Sequence, residues 1–503
     1  MRRGIWVTLA AAVLVLAAAL LFHAADTGAK KARYHQHLEE PSEADLPVAE
    51  EGAPFHTHLP VIRIDTFGQR IPGYPIVRPD GRHTGYETTE SGEAEIVVRY
   101  ETVTKEGVLH TEASPADAEG TARMRIRGNS SRYFSKSSYR LKLTADEGGQ
   151  VPAKESLLGM PEGEQWALYG PFLDKTLLRN YMWMNICGEI MDEWVPNVRY
   201  CELFVNGEYR GVYVLMEMID IQNGRLELTK YRDGDAVMSY LIRIEPEINA
   251  SRAVDNFSFY TYRMEEGRRV ELLYPGTKHQ SQHVKDYVAT DFNEVERMLY
   301  AADSTAWKQE LDLDSFVDYY ILEELLGVND AFSASTYFSR DVRGKLKIGP
   351  VWDFNNVLDN FFQPLPEEGF LLAQRGWFGQ MMQDETFVKR VIARYRQLRK
   401  SFLSDDYLLG YIHGTEAWLG SAIERNFQVW GYAFDPDNLT NREYRTPEPG
   451  TEQSLAALNP SDHGEAMEWM TEYLLQRTAW MDQNIETLRQ YCHPSRLAGQ
   501  SYE

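Results

Sequence analysis

Two aspartates in the second half of the chain have the residue type and spacing that phosphoryl transfer uses. Asp330 lies in Val328-Asn329-Asp330, and Asp353 follows 23 residues later in Trp352-Asp353-Phe354. Apolar neighbours would hold each carboxylate in place. One carboxylate would orient an acceptor hydroxyl, and the other would hold the metal ion that bridges the phosphates of ATP. The alternative is that both aspartates only cap helices or turns, as Asp residues often do.

The residues around these aspartates resemble a protein-kinase arrangement in part. Kinases place an asparagine five positions after the catalytic aspartate, followed by a hairpin and then Asp-Phe-Gly. Here Ser335 stands at that interval, and the later motif reads Asp353-Phe354-Asn355. Between them, Tyr337–Asp341 and Lys345–Val351 predict the two strands of a hairpin.

A third cluster is basic and comes earlier in the chain. Arg127-Gly128-Asn129-Ser130-Ser131 is followed by Lys136, Arg140 and Lys142. A Gly-Asn-Ser-Ser turn between strands can direct several N–H and hydroxyl donors at one anion. Strand alternation places Arg140 and Lys142 on one face. Taken alone, the cluster is more typical of a solvated turn with surface lysines.

The elements that position these residues divide into two kinds, which predicts an α+β fold. Short β-type runs dominate up to about Leu143, and Asn206-Gly207 predicts the turn of a further hairpin. Beyond Gln280 the apolar spacing is helical. The expected helices are Val284–Tyr300, Leu313–Leu326, Glu385–Leu403, Tyr407–Val429 and His463–Tyr491. We therefore expect a β-rich region at 61–280 and a helix-rich region at 281–500 that carries the catalytic hairpin.

Composition excludes several classes of protein. The chain has 503 residues, 43% of them hydrophobic, which excludes general disorder. A formal charge of −23 opposes binding to the phosphates of nucleic acid. It would instead attract cations and basic protein segments.

The first residues predict export. Arg2 and Arg3 precede an apolar run from Ile5 to Phe22, long enough for a membrane-spanning helix. We expect residues 1–26 to be a membrane anchor with the rest of the chain outside the cytoplasm. Cleavage as a signal peptide, giving a secreted protein, is the alternative. Residues 27–60 are polar and acidic and are predicted to form a flexible tether.

Several blocks in the same order resemble the spore-coat protein H (CotH) family of atypical protein kinases. The opening block is Arg127–Ser131 with Lys136 and Tyr139–Leu143. The later blocks are Leu158–Pro161, Asp174–Asn180, Phe204–Tyr213 ending at Glu217, Tyr240–Glu245, Asn329-Asp330 and Trp352–Phe354. They extend over roughly residues 62–360, and their order is more specific than any single block.

The resemblance implies a two-lobed, kinase-like fold that transfers the γ-phosphate of ATP to serine or threonine with Mg²⁺ or Mn²⁺. It makes Asp330 the catalytic aspartate and Asp353 a metal ligand, with Ser335 and Asn355 at the places of further ligands. Arg127, Asn129, Ser130, Lys136, Lys142 and Glu217 become candidate nucleotide contacts. The sequence does not choose between Lys136 and Lys142 as the phosphate-binding lysine.

Ser335 and Asn355 depart from the family pattern, where Asn and Asp are common, and both departures weaken a second metal site. Both departures are compatible with a slow enzyme, or with an inactive kinase-like protein that serves in assembly of the envelope or spore coat. Paired carboxylates would also suit a carbohydrate-active protein. The acidic composition predicts that an acceptor protein presents its Ser or Thr in a basic segment.

Overall fold

Seven strands close into a barrel in the first half of the chain. The computed structural model describes residues 33–47, 54–78, 83–105, 107–222, 224–246, 248–256, 269–301, 304–358, 360, 366–438 and 459–492. The strands of this region are β1 (Val61–Asp65), β2 (Pro75–Val77), β3 (His83–Tyr86), β4 (Ile96–Val103), β5 (Ala118–Ile126), β6 (Tyr139–Thr144), β7 (Gln165–Tyr169), β8 (Val198–Val205) and β9 (Glu208–Glu217). Seven of them form the barrel in the order β1-β4-β5-β6-β7-β9-β8, and β8 runs parallel to β1 where the barrel closes. The other two, β2 and β3, form a separate small hairpin.

Alternation along the strands fills the barrel. On β6, Tyr139, Leu141 and Leu143 are buried in the barrel core, whereas Arg140 and Lys142 lie on its outer face and remain partly exposed. The hairpin of β8 and β9 turns at Asn206-Gly207, where both residues have a positive φ. The sequence prediction of this hairpin is confirmed, because Asn and Gly are the residues that accept such a turn.

A second sheet joins strands from both halves of the chain. Its order is β11-β12-β10-β13-β14. The strands are β10 (Tyr240–Glu245), β11 (Ala253–Val254), β12 (Arg269–Tyr274), β13 (Thr336–Arg340) and β14 (Lys347–Ile348). Because β10 pairs with β13, this sheet extends across residue 280, the expected boundary between the β-rich and helix-rich regions. Residues from His35 onward form one compact unit.

Helices dominate the second half, as the periodicity predicts. The first half contains α1 (Gln36–Glu39) and α2 (Arg179–Ile190), and the second half contains α3 (Gln282–Tyr300), α4 (Trp307–Glu310), α5 (Leu313–Leu326), α6 (Phe378–Met381), α7 (Glu385–Leu398), α8 (Asp405–Leu419), α9 (Ser421–Trp430) and α10 (His463–Asn484). The expected helix Tyr407–Val429 is two helices, because Gly420 with φ 50° interrupts it. The mixed α+β class is confirmed, and the closed barrel was not predicted.

The segment 35–47 is ordered where the sequence predicts a flexible tether. The Gln36 side chain accepts from the Tyr200 N–H at 2.6 Å, and His37 Nδ1 lies 3.1 Å from the Tyr181 hydroxyl. The Trp418 indole donates to the Pro41 carbonyl at 3.2 Å. The polar composition of residues 35–47 does not predict this packing, because the contacts are hydrogen bonds and aromatic contacts and do not involve an apolar stripe.

The predicted anchor, Ile5–Phe22, lies outside the described residues. Within the part of the chain that the structure describes, no helix is both long and apolar enough to cross a bilayer.

Candidate active site

One end of the second sheet brings distant carboxylates together. Ile244 of β10 pairs with Thr336 of β13, so the next residue, Glu245, lies opposite Ser335. The Ser335 N–H donates to the Glu245 carboxylate. Asp353 comes five residues after the end of β14, the strand that pairs with β13 on its other side. The same end of the second sheet therefore carries polar residues from three adjacent strands or the loops next to them: Glu245, Ser335 and Asp353.

Asp330 lies on a loop that is held on both sides. Its side chain is exposed, and the loop follows α5, which ends at Gly327 with φ 63°. The Arg375 guanidinium donates to the carbonyls of Asn329 at 2.6 Å and Ala331 at 3.3 Å, the residues that flank Asp330. The Asp330 carbonyl in turn accepts from the N–H groups of Ser333 and Ala334 at 2.8 Å. These bonds fix the backbone that carries the predicted catalytic carboxylate.

Asp353 has a left-handed backbone, with φ 73°. Such a conformation is costly for a residue other than glycine, and its neighbours must hold it. The next residue, Phe354, donates its N–H to the Asn180 side chain at 3.1 Å, and Asn180 also bonds to Tyr169. The strained backbone of Asp353 is therefore held by a hydrogen bond at the next residue, and strained residues held in this way are common at functional sites.

The segment after Asp353 is held by a buried ion pair. Arg179 donates to the carbonyls of Val357 at 2.8 Å and Leu358 at 3.2 Å. The same guanidinium bonds to Asp174 at 2.7 Å, and both side chains are almost fully buried. The Asp174–Asn180 block of the sequence therefore positions Asp353 without facing the reacting groups itself.

The carboxylates influence each other's protonation. Burial, followed by repulsion from Asp330, raises the pKa of Asp353 to about 6, although Asp353 retains solvent access. Burial also raises the pKa of Glu245 to about 7, with Asp353 and Asp330 adding to the effect. Glu323 on α5 is also buried, and burial, followed by repulsion from Asp330, raises its pKa to about 8. Burial is the main cause of all three pKa shifts, and repulsion between the carboxylates adds to it.

Two arginines border the acidic cluster. Arg127 lies with its guanidinium 5.3 Å from the ring centre of Trp352, and it interacts electrostatically with Asp353. Arg243 on β10 bonds to Glu245 at 3.2 Å and to Glu271 of β12 at 2.8 Å. Arg127 is therefore the member of the predicted basic cluster that faces the carboxylates.

An apolar cluster adjoins the acidic end. Leu241 and Tyr337 are buried there, and Ile219, Leu273 and Trp352 are partly buried against them. On β10, Leu241, Arg243 and Glu245 share one face because alternate residues of a strand point the same way. The face therefore changes from apolar to acidic over four residues, roughly 13 Å of strand. A flat apolar group suits the apolar part of this face, and a cation suits its acidic end.

The other predicted residues lie in different places. Lys136 is buried and donates to the Asn426 side chain at 2.6 Å, whereas Lys142 pairs with Glu164 at 3.1 Å on the outside of the barrel. Glu217 is buried and accepts two bonds from Asn197, at 2.8 and 2.9 Å.

The remaining predicted residues lie on loops. Asn129 is exposed before the short 3-10 helix Ser130–Tyr133. Asn355 is half-buried, and its carbonyl accepts from Asn360 at 2.6 Å. Ser335 has φ 47°, and its N–H is bound to Glu245.

The donors fit a nucleotide-bound divalent cation and not a self-sufficient metal cage. Among the described residues, no three His, Cys, Asp or Glu side chains form a ready metal site. Magnesium at nucleotide sites commonly takes one or two carboxylates and completes its octahedron with phosphate oxygens and water. Asp353, supported by its acidic neighbours, fits that role.

Sequence reasoning missed the residues that position the site. Glu245 is part of a recognised block, but its place opposite Ser335 depends on the pairing of β10 with β13. Arg375 and Glu323 are separated in sequence from the motifs that they support. The signal that could have found Glu245 is a carboxylate at the end of a mostly apolar strand, Tyr240–Glu245, in which Arg243 is the other charged residue.

Comparison with known proteins supports one family. The profile of the family described as CotH kinase protein matches residues 124–481. A comparison with curated proteins finds no match. The matched range contains Arg127, Glu245, Asp330 and Asp353, and it covers well over half of the chain. The chain therefore belongs to the CotH kinase protein family.

Proposed function

We propose that this protein is an ATP-dependent protein serine/threonine kinase of atypical, two-lobed type. The observation that carries the proposal is that Asp330, Asp353 and Glu245 lie together at one end of the second sheet. Arg127 and the apolar cluster lie beside them. Membership of the family supports the same class of activity. The barrel would form most of one lobe, and the helices with the second sheet would form the other.

The nucleotide would lie along the face that changes from apolar to acidic. The base would pack on the partly exposed members of the apolar cluster, Ile219, Leu273 and Trp352, and the phosphates would extend toward Asp353. Arg127 would pair with phosphate oxygens, since a guanidinium binds two of them at once. Asp353 would hold the divalent cation, which neutralises phosphate charge during transfer.

Asp330 would act on the acceptor. Its carboxylate would orient the acceptor hydroxyl and take its proton as the oxygen forms a bond to the γ-phosphorus. The bond between that phosphorus and the β–γ bridging oxygen breaks, and ADP leaves. The bonds of Arg375 on both sides of Asp330 would keep the carboxylate at a fixed distance from the hydroxyl.

The acceptor and the location follow from charge and from the start of the chain. The net charge of −23 favours a Ser or Thr in a Lys/Arg-rich segment of an envelope or coat protein. The apolar run Ile5–Phe22 supports a membrane-anchored, extracytoplasmic enzyme, or a secreted one if the run is cleaved.

A second candidate is a kinase-like assembly protein that binds nucleotide without turnover. Ser335 and Asn355 favour it, because Ser335 has a shorter side chain than the Asn common at its place, and Asn355 lacks the charge of the Asp common at its place.

Incubating the purified full-length protein with γ-labelled ATP, Mg²⁺ or Mn²⁺ and a generic basic protein separates the two candidates. Label on serine or threonine that disappears in Asp330→Asn supports the kinase. Nucleotide binding without any transfer would leave only the assembly role.

A further inference from the structure

Ser335 occupies the place where many kinases have a metal-binding asparagine, and its environment differs from that role. Its backbone is left-handed, and its N–H interacts with the Glu245 carboxylate. The serine side chain is shorter than that of asparagine, so its hydroxyl replaces the amide oxygen poorly as a ligand. Another donor near Ser335 is needed if a divalent cation is to be held at this position as firmly as in other kinases.

Glu245 has the right place to be that donor. Strand register sets it directly opposite Ser335, and its charge interacts with those of both Asp330 and Asp353. Its side chain keeps 16% of its exposure, so the carboxylate is open to a ligand. A glutamate reaches farther than a serine, and it supplies an anionic oxygen from the neighbouring strand.

The ion pair with Arg243 leaves acceptor positions of the Glu245 carboxylate available, because an ionised carboxylate has about four of them. Arg243 already pairs with Glu271 at 2.8 Å, and the Glu271 side chain is only 4% exposed. Glu245 shares the same arginine at the longer distance of 3.2 Å. Its other charged neighbours at the site are the carboxylates of Asp353 and Asp330. A cation placed between Glu245 and Asp353 would be attracted by both carboxylates.

We propose that Glu245 is a ligand of the divalent cation that accompanies the nucleotide, supplying a side-chain oxygen with the reach that Ser335 lacks. This inference rests on the proposed function, because the cation comes with ATP. It assigns a metal-binding role to the Tyr240–Glu245 block and makes the second sheet, and not only the catalytic loop, part of the metal site. It also explains how Ser335 is compatible with metal-dependent transfer.

Manganese binding tests the role without measuring activity. The full-length protein, with a non-hydrolysable ATP analogue, is titrated with Mn²⁺, and free Mn²⁺ is followed by electron paramagnetic resonance. Wild type is compared with Glu245→Gln, Asp353→Asn and the matched control Glu271→Gln, which removes the other carboxylate on Arg243. Glutamine keeps the shape of glutamate, and thermal unfolding checks that each variant is folded.

We expect Mn²⁺ affinity to fall at least tenfold in Glu245→Gln and further in Asp353→Asn, with Glu271→Gln close to wild type. Analogue affinity in EDTA should be the same for wild type and Glu245→Gln. If Glu245→Gln binds Mn²⁺ like wild type while Asp353→Asn does not, this inference is wrong and the proposed nucleotide site stands. Equal losses in Glu245→Gln and Glu271→Gln would show that the effect passes through Arg243, which also overturns the inference. If wild type binds neither Mn²⁺ nor the analogue, both the proposed function and this inference are wrong.

Discussion

The two stretches that the sequence singled out, Arg127–Lys142 and Asp330–Asp353, are organised differently. In the second stretch, the loop and the hairpin return both aspartates to one end of a sheet. In the first stretch, the basic residues separate: Arg127 faces Asp353, Lys136 is buried against Asn426, and Lys142 lies on the outside of the barrel. Residues that are close in sequence converge only where the chain turns back on itself.

The difference has a simple physical cause. The basic residues of the first stretch lie on different elements: Arg127 and Lys136 are in the connection between β5 and β6, whereas Arg140 and Lys142 share the outer face of β6, so they cannot all reach one ligand. A hairpin instead returns the residues at its two ends to the same edge. The comparison predicts that substitutions in the Asp330–Asp353 stretch affect turnover most, and that the effects in the basic stretch concentrate at Arg127.

The largest expected effect is that of Asp330→Asn. If Asp330 takes the acceptor proton, kcat should fall by roughly 10²–10⁴-fold, whereas nucleotide affinity should stay within about twofold. Steady-state transfer to a basic acceptor and binding of a non-hydrolysable analogue measure the two quantities. Asp341→Asn is the matched control, since Asp341 lies at the other end of the hairpin and bonds to Thr229. Equal losses in the two variants would contradict a catalytic role.

The next effect separates Arg127 from Lys142. Arg127→Ala should weaken nucleotide binding about ten- to hundredfold, the loss expected for a charge-assisted contact to phosphate. Lys142→Ala should change it by less than about twofold, because Lys142 forms a partly exposed pair with Glu164. Isothermal titration calorimetry with Mg²⁺ and the analogue gives both values. The reverse order would place the phosphates on the outer face of β6.

The smallest effect concerns pH and stability without metal. Burial raises the pKa of Glu245 to about 7, above its ordinary value, so the stability that its neutral form contributes is lost as pH rises through 7. The free energy of unfolding of wild type, relative to Glu245→Gln, should therefore decrease by about 1–2 kcal/mol between pH 5 and pH 8 in EDTA. Urea denaturation at both pH values measures this difference. A relative stability that does not change with pH would show that Glu245 is not protonated in the folded protein at pH 5.

Part of this site could be predicted from the sequence, and part required the fold. The hairpin between Asp330 and Asp353 was predictable, because its signals are local: alternating apolar residues and a turn. The placement of Glu245 and Arg375 was not, since it depends on the pairing of β10 with β13 and on the chain after β14. The closure of the barrel and the docking of Gln36 against Tyr200 also depend on long-range partners that periodicity does not reveal.

Metal-dependent nucleotide binding tests the central claim most directly. Affinity for a non-hydrolysable ATP analogue is measured with Mg²⁺ and with EDTA, in wild type, Asp353→Asn and Asp330→Asn. We expect Mg²⁺ to strengthen binding in wild type and in Asp330→Asn, and to have little effect in Asp353→Asn. Binding that Mg²⁺ strengthens equally in all three proteins would contradict the assignment of the metal to Asp353 and, with it, the account of this sheet end as a phosphoryl-transfer site.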